Sequence, residues 1–405
     1  MISNNVSDVS YVVLDSDTLL TAGFRDRDAA FLDNQEWNSL GIFRAGTKLL
    51  TDNSGYCWFG TEGEGLWRLG DGGFVNYDEN NSTLLGNTDN PPFGLTFIYI
   101  RGLVADGDYL YAGCYRAANG YPVAIADLND LDNRTGWDSL GIADGIVNAF
   151  VVDLDVYGNQ IAVGMETVGL YLYDFGKGHY DHSDDSVHLY TTDDGFLISN
   201  SIRKVSFSPN GILWVGTNFG ISRYDPGLEF FVDVPLPEGI SSDITALEFD
   251  GRGNLWVGTV DGLAFWNATL SQFQLFNTIN SSLVSDKIND VHFEKHTGNL
   301  YVATTGGISS LMSYIGKPTS EIARVIAFPN PFLISNSNDL LSFNYSKAAT
   351  VRVYTASGEI VNEFPVNQSW NGKNSFGNNV SSGVYLFIIT DNSGETARGK
   401  FLLVR

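Results

Sequence analysis

Cysteine is nearly missing from this 405-residue chain, which has only Cys57 and Cys114. A disulfide framework is therefore not what holds the chain together, and its length allows a core large enough to do without one. The two lie at different strand positions of different repeats, so both are expected to be free and buried. Basic residues are also scarce: 23 Lys and Arg stand against 47 Asp and Glu, for a net charge of −24. Phosphate backbones need clustered Lys and Arg, so nucleic acid is excluded as a partner. No apolar run approaches the ~20 residues of a membrane-crossing helix, so no transmembrane segment is expected. Helical periodicity is absent over any useful length. The stretch Met1–Asp8 has neither the basic start nor the apolar run of a signal peptide.

Glycine and aromatic side chains are plentiful. There are 44 Gly, and Phe, Trp and Tyr make up 13 % of the chain. That mixture suits an all-β protein with many tight turns. One strand pattern recurs. Leu213-Trp-Val-Gly-Thr217 and Leu255-Trp-Val-Gly-Thr259 are identical, and weaker copies contain Gly23, Gly60, Gly113, Gly164 and Ala303. The marker positions are spaced by 37, 53, 51, 52, 42 and 45 residues, about 47 on average. A four-stranded propeller blade takes about that length. In the fifth copy four strands are expected: 202–206, 213–217, 220–224 and 229–234. Trp37-Asn-Ser-Leu-Gly-Ile42 and Trp137-Asp-Ser-Leu-Gly-Ile142 repeat 100 residues apart and read as outer strands. The fold expected for residues 1–316 is a seven-bladed β-propeller with an incomplete last blade and a missing or poorly formed closing strand. The segment Asp250-Gly-Arg-Gly-Asn-Leu-Trp-Val-Gly-Thr259 resembles the two-component-regulator propeller repeat, over roughly residues 200–310.

The last 78 residues read differently. Their five acids and six bases sum to +1, so the first 327 residues carry −25. Short β-branched runs alternate with Ser357-Gly358, Asn371-Gly372 and Asn392-Ser-Gly394 turns. Two prolines hold Phe328-Pro-Asn-Pro-Phe332 extended. This predicts a small immunoglobulin-like β-sandwich over 328–405, behind a linker at 317–327. Pro329, Asn330, Pro331, Gly358, Gly383, Tyr385, Lys400 and Arg405 fall in order in a pattern that resembles the type A C-terminal sorting domain of the type IX secretion system. The resemblance implies export to the outer-membrane surface or beyond, with the secretion machinery as partner of residues 328–405. An exported chain needs a signal peptide, so upstream sequence is expected to have been lost.

Two segments collect candidate metal ligands. His179, Asp181, His182 and Asp184 lie in a run that could hold a divalent metal, or could be a solvated hairpin loop. Asp127, Asn129 and Asp132 present alternating oxygens that suit a structural calcium ion, or again a solvated loop. No other cofactor is expected. Trp58, Trp214 and Trp256 are expected to pack between blades, whereas Trp67 and Trp266 lie further out, where half-exposed rings could stack on sugars. No nucleophile elbow, zinc-peptidase helix motif or phosphate-binding loop is present, so no catalytic residue is assigned. The function expected is a secreted or cell-surface propeller that binds an unknown glycan or protein. The alternatives are a glycan-active lyase or hydrolase on the same scaffold, or a component of the secretion and attachment machinery.

Overall fold

A computed structural model describes residues 4–14, 17–24, 29–33, 36–41, 45–70, 72–86, 97–225, 228, 230–250, 253–267, 272–294, 299–312, 322–328, 330–334, 340–345 and 347–405. Among the described residues the regular elements are β-strands apart from four single turns of 3-10 helix. Residues 6–312 form antiparallel sheets of consecutive strands, the architecture of a propeller. Four of these sheets have four strands each. An eight-stranded sheet consists of two such units joined where Glu62–Gly63 pairs with Ile98–Tyr99, and the last sheet has three strands among the described residues. In the fifth repeat the strands are Ile202–Phe207, Leu213–Thr217, Gly220–Asp225 and Phe230–Val234, within two residues of expectation. Trp37 and Trp137 both sit in fourth, outermost strands.

The innermost strands are Val6–Leu14, Ala45–Thr51, Ile98–Asp106, Val151–Tyr157, Ile202–Phe207, Ile244–Phe249 and Ile288–Glu294. Each contacts the next in sequence, and the last contacts the first, so the ring closes on itself. The repeated glycine is what lets neighbours approach. A Cβ on Gly113 would lie 2.3 Å from Val151, on Gly164 2.8 Å from Ile202, on Gly216 2.6 Å from Ile244 and on Gly258 2.8 Å from Ile288. Every one of those partners opens the inner strand of the following sheet. At the seam the marker is Ala303, which packs in one cluster with Val6. The repeated threonine has a separate task. Thr61, Thr217, Thr259 and Thr304 are fully buried and donate Oγ1 to a glycine carbonyl across the turn, at 2.7–3.0 Å. Each buried hydroxyl is thus satisfied while it fixes the turn.

An inner strand is also a sheet edge, with unpaired backbone groups facing its neighbour. Carboxylates from the preceding sheet cover some of them. Asp153 Oδ2 accepts from Val205 N at 3.0 Å, Asp155 Oδ2 from Phe207 N, and Glu248 Oε1 from Phe293 N at 3.3 Å. Part of the acidity of the chain is therefore structural. Cys57 and Cys114 are free and buried, as expected.

The C-terminal module has a five-stranded sheet and a small two-stranded sheet over one core. Its packing starts earlier than Phe328, because Ile322, Val325 and Ala327 belong to that core. Residues 322–327, expected to be linker, are thus part of the module. Most of the remaining linker, 317–321, and Pro329 lie outside the described residues.

If the glycine contact sets blade spacing, Gly216→Ala destabilises the chain by about 1–3 kcal/mol in urea unfolding, through overpacking against Ile244. Gly383→Ala, where a Cβ meets nothing within 4 Å, stays within about 0.5 kcal/mol of the parent.

Candidate functional site: the axial charge cluster

Opposite each marker, the inner strand places one residue at the ring centre. In order these are Asp8, Lys48, Gly102, Asp153, Lys204, Ala246 and Asp290. A bulge or register shift in the inner strand precedes every one of them, turning the side chain inward. Three carboxylates and two ammonium groups thus meet in a buried space. Lys48 Nζ lies 3.3 Å from Asp8 Oδ2 and 3.7 Å from Asp290 Oδ1. Lys204 Nζ lies 3.8 Å from Asp153 Oδ1. Lys48 bridges the first, second and last repeats, so it ties the seam of the ring. Beside it Asn289 Nδ2 donates to Asn5 Oδ1 at 3.3 Å and to the Val6 carbonyl at 2.5 Å.

Burial sets the electrostatics. It raises Asp8 well above the carboxylate range, and the charge of Asp290 adds to the effect. Burial pushes Asp290 the same way, but Lys48, Lys204 and a hydrogen bond from Asp8 outweigh it and lower Asp290. The two carboxyls are thus pushed apart, Asp8 up and Asp290 down. Burial would strip Lys48 of its proton, yet Asp290 and Asp8 hold it charged, well above its ordinary value. These groups neutralise one another.

The expected metal ligands do not converge. His179 packs against Tyr109 and Phe175, with ring centroids at 4.1 and 4.4 Å, and its Nδ1 is 3.1 Å from Tyr111 Oη. Burial among those rings lowers its pKa. Asp181 accepts from Ser183 N at 3.1 Å, and Asp184 pairs with Lys177 at 3.0 Å. His182 instead joins two repeats, with Nδ1 2.8 Å from Asp185 and Nε2 3.0 Å from Asp138. Burial disfavours its charge, but these hydrogen bonds prevail and raise its pKa. Tyr173 donates to the same Asp185. Both ring nitrogens are occupied, so His182 is a rivet between loop and neighbouring sheet. Asp127 accepts from Asn129 N at 2.8 Å, an Asx-turn, while Asp132 is exposed. Among the described residues no three His, Cys, Asp or Glu side chains are grouped to hold a metal ion.

In the C-terminal module the predicted motif residues do converge. Asn330 Oδ1 accepts from Leu402 N at 3.0 Å, and its amide reaches the Lys400 carbonyl at 3.5 Å. Arg405 donates through its backbone to Ser382 Oγ and through its guanidinium to the Val380 and Gly372 carbonyls. Tyr385 donates to the Ser381 carbonyl at 2.7 Å and stacks on Phe401. Gly358 takes a φ of 90° in its hairpin turn. Both ends of the module are thus locked to each other.

A ring of repeated antiparallel sheets followed by a compact C-terminal β module defines a propeller-containing protein with an appended domain. Residues 326–403 match the family "Secretion system C-terminal sorting domain", and residues 238–261 match "Two component regulator propeller". The chain is similar in fold to PorZ, a surface component of the type IX secretion system of Porphyromonas gingivalis, at 18 % identity and TM-score 0.59, covering 99 % of this chain and 60 % of that one. It is likewise similar to the extracellular domain assigned to a hybrid two component system, BT3049, of B. thetaiotaomicron, at 16 % identity and TM-score 0.56, covering 100 % of this chain and 55 % of that one. Virginiamycin B lyase from Staphylococcus aureus shares the fold at 9 % identity and TM-score 0.53, over 76 % of this chain and 93 % of that one. No curated protein matches the sequence. The chain spans about three-fifths of the length of the first two structures. It is a type IX-sorted, propeller-containing protein, addressed for secretion and cell-surface attachment. No helix among the described residues is long and apolar enough to cross a membrane.

Lys48→Met leaves two buried carboxyls without their cation and lowers stability at pH 7 by about 3–5 kcal/mol. Asp290 is held below its ordinary value of about 3.8, so the deficit persists down to about pH 4 and shrinks only as pH falls further through the folded value, where urea midpoints of parent and variant approach each other. His182 has a raised folded pKa, so its contribution is complete below about pH 6.5 and is lost as pH rises through the folded value. His182→Ala removes that part of the slope in a pH series of unfolding midpoints.

Proposed function

We propose that this chain is a seven-bladed β-propeller joined to an immunoglobulin-like sandwich, working outside the cell as a binding module that the tail delivers. Seven inner strands packed in a closed circuit support the blade count. Two sheets sharing the Trp370, Phe387 and Phe401 core support the sandwich. The observation that carries the binding reading is the state of the central charges. Lys48 is held between Asp8 and Asp290, and Lys204 lies beside Asp153. Acids and bases spent on one another stabilise a ring, and leave none poised to exchange a proton with a substrate. His182 is engaged at both nitrogens in the same way. Ligand recognition then falls to the loops and the clefts between blades, where few polar groups meet large apolar surfaces.

Delivery rests on residues 322–405 as one folded unit, because Ile322 and Val325 close its core. A reporter with a signal peptide and residues 322–405 reaches the surface or medium of a type IX-competent cell. A fusion starting at Phe328 folds less well and is exported less. Retention of both fusions in the periplasm overturns the delivery reading.

A further inference from the structure

The outer halves of neighbouring sheets leave clefts between them, one of about 400 Å³ between the first and seventh repeats. Between the fifth and sixth repeats a cleft of about 390 Å³ remains. One wall is a row of directly paired residues on three strands, Trp214, Arg223 and Val232. The other wall comes from the sixth sheet, where Phe249 and Trp266 flank Leu255 in one row. The two indoles are 6.4 Å apart at 57°, and Phe249 lies 6.1 Å from Trp214. Trp214 is buried, while Trp266 keeps part of its surface in the opening.

The second repeat is an internal control. Its Trp58 pairs with Arg68 in the same register as Trp214 with Arg223. There the guanidinium is covered, with Tyr56 at 4.7 Å, Trp58 at 5.7 Å and Tyr77 at 5.8 Å. In the fifth repeat the position of Tyr56 is Ile212, and Arg223 has one ring, Trp214, at 5.9 Å. The sixth repeat has Phe265 at that register position, 4.5 Å from Trp256. Of these three repeats, the fifth combines a guanidinium with an open aromatic cleft. Among the described residues Arg223 has no carboxylate partner, although the chain carries a net charge of −24. A cation left unpaired in so acidic a protein suits an acceptor-rich ligand. Trp266 supplies the flat apolar face on which the C–H side of a pyranose ring rests.

We propose that this cleft binds a sugar ring, with one face on Trp266 and its acceptor groups, above all a ring carboxylate, on Arg223. The inference rests on the reading of the propeller as a binding module and names its ligand class. Arg223 is a bidentate donor aimed at a planar acceptor, so a uronate is favoured over a neutral hexose.

The test is a calorimetric titration of the full chain with tetragalacturonate and, separately, maltotetraose. The parent binds tetragalacturonate more tightly than maltotetraose. Trp266→Ala weakens both at least about tenfold, and Arg223→Gln weakens only the uronate, by a similar factor. Far-UV circular dichroism and unfolding midpoints check that each variant is folded, and Arg223→Gln gives up only the 5.9 Å contact over Trp214, so its result stands if Trp266→Ala is unstable. A parent that binds neither sugar overturns the proposal. Binding that both variants leave unchanged also overturns this cleft as the site, while the binding-module reading stands.

Discussion

The interaction on which the rest depends is the contact between a marker residue in one sheet and the first inner-strand residue of the next. Gly113, Gly164, Gly216 and Gly258 leave room that Val151, Ile202, Ile244 and Ile288 fill. Because each sheet is positioned by its neighbour, one geometric rule repeated around the circuit brings the last sheet back to the first. At the seam the marker is Ala303, which packs with Val6 in one cluster. The seam has no covalent tie. It is held by this packing, by Asn289 reaching Asn5 and Val6, and by Lys48 between Asp8 and Asp290.

Charge has two separate tasks in the propeller. Near the axis, carboxylates satisfy backbone N–H groups of the next inner strand or neutralise two half-buried lysines. This accounts for part of the acidity without any ligand. In the outer cleft Arg223 is a different case, since its local partners are aromatic. The same register position is filled by Arg68 among three rings and by Phe265 against Trp256. Repeats that share a backbone therefore diverge at the outer strands, where function can be added without disturbing the ring.

Much of the fold was legible because the second strand carries both its packing and its turn in five letters, Leu-Trp-Val-Gly-Thr. The tail was legible for a related reason: Asn330, Tyr385 and Arg405 each make a specific contact that only their residue type can make. The axial cluster was missed. Its members are separated by a variable repeat length, so no fixed spacing relates Asp8, Lys48, Asp153, Lys204 and Asp290. A local signal did exist in Val6-Ser-Asp8, Val151-Val-Asp153, Ile202-Arg-Lys204 and Ile288-Asn-Asp290, an apolar residue followed two later by a charge. The histidine-rich segment misled because closeness in sequence is not convergence in space. His179 turns into an aromatic pocket, while His182 spans to Asp138 in the preceding repeat. Likewise the start of the C-terminal module was placed too late, since isolated apolar residues such as Ile322 and Val325 carry no strand pattern.

The ring is closed and cooperative although its seam is only packed and ion-paired. Hydrogen exchange of the full chain at neutral pH distinguishes a closed ring from an open one. In a closed ring, amides of Val6–Leu14 and Ile288–Glu294 are protected to the same degree as those of Ile202–Phe207, because opening the seam requires opening the ring. Fast exchange confined to Val6–Leu14 and its sheet, with full protection elsewhere, would contradict it.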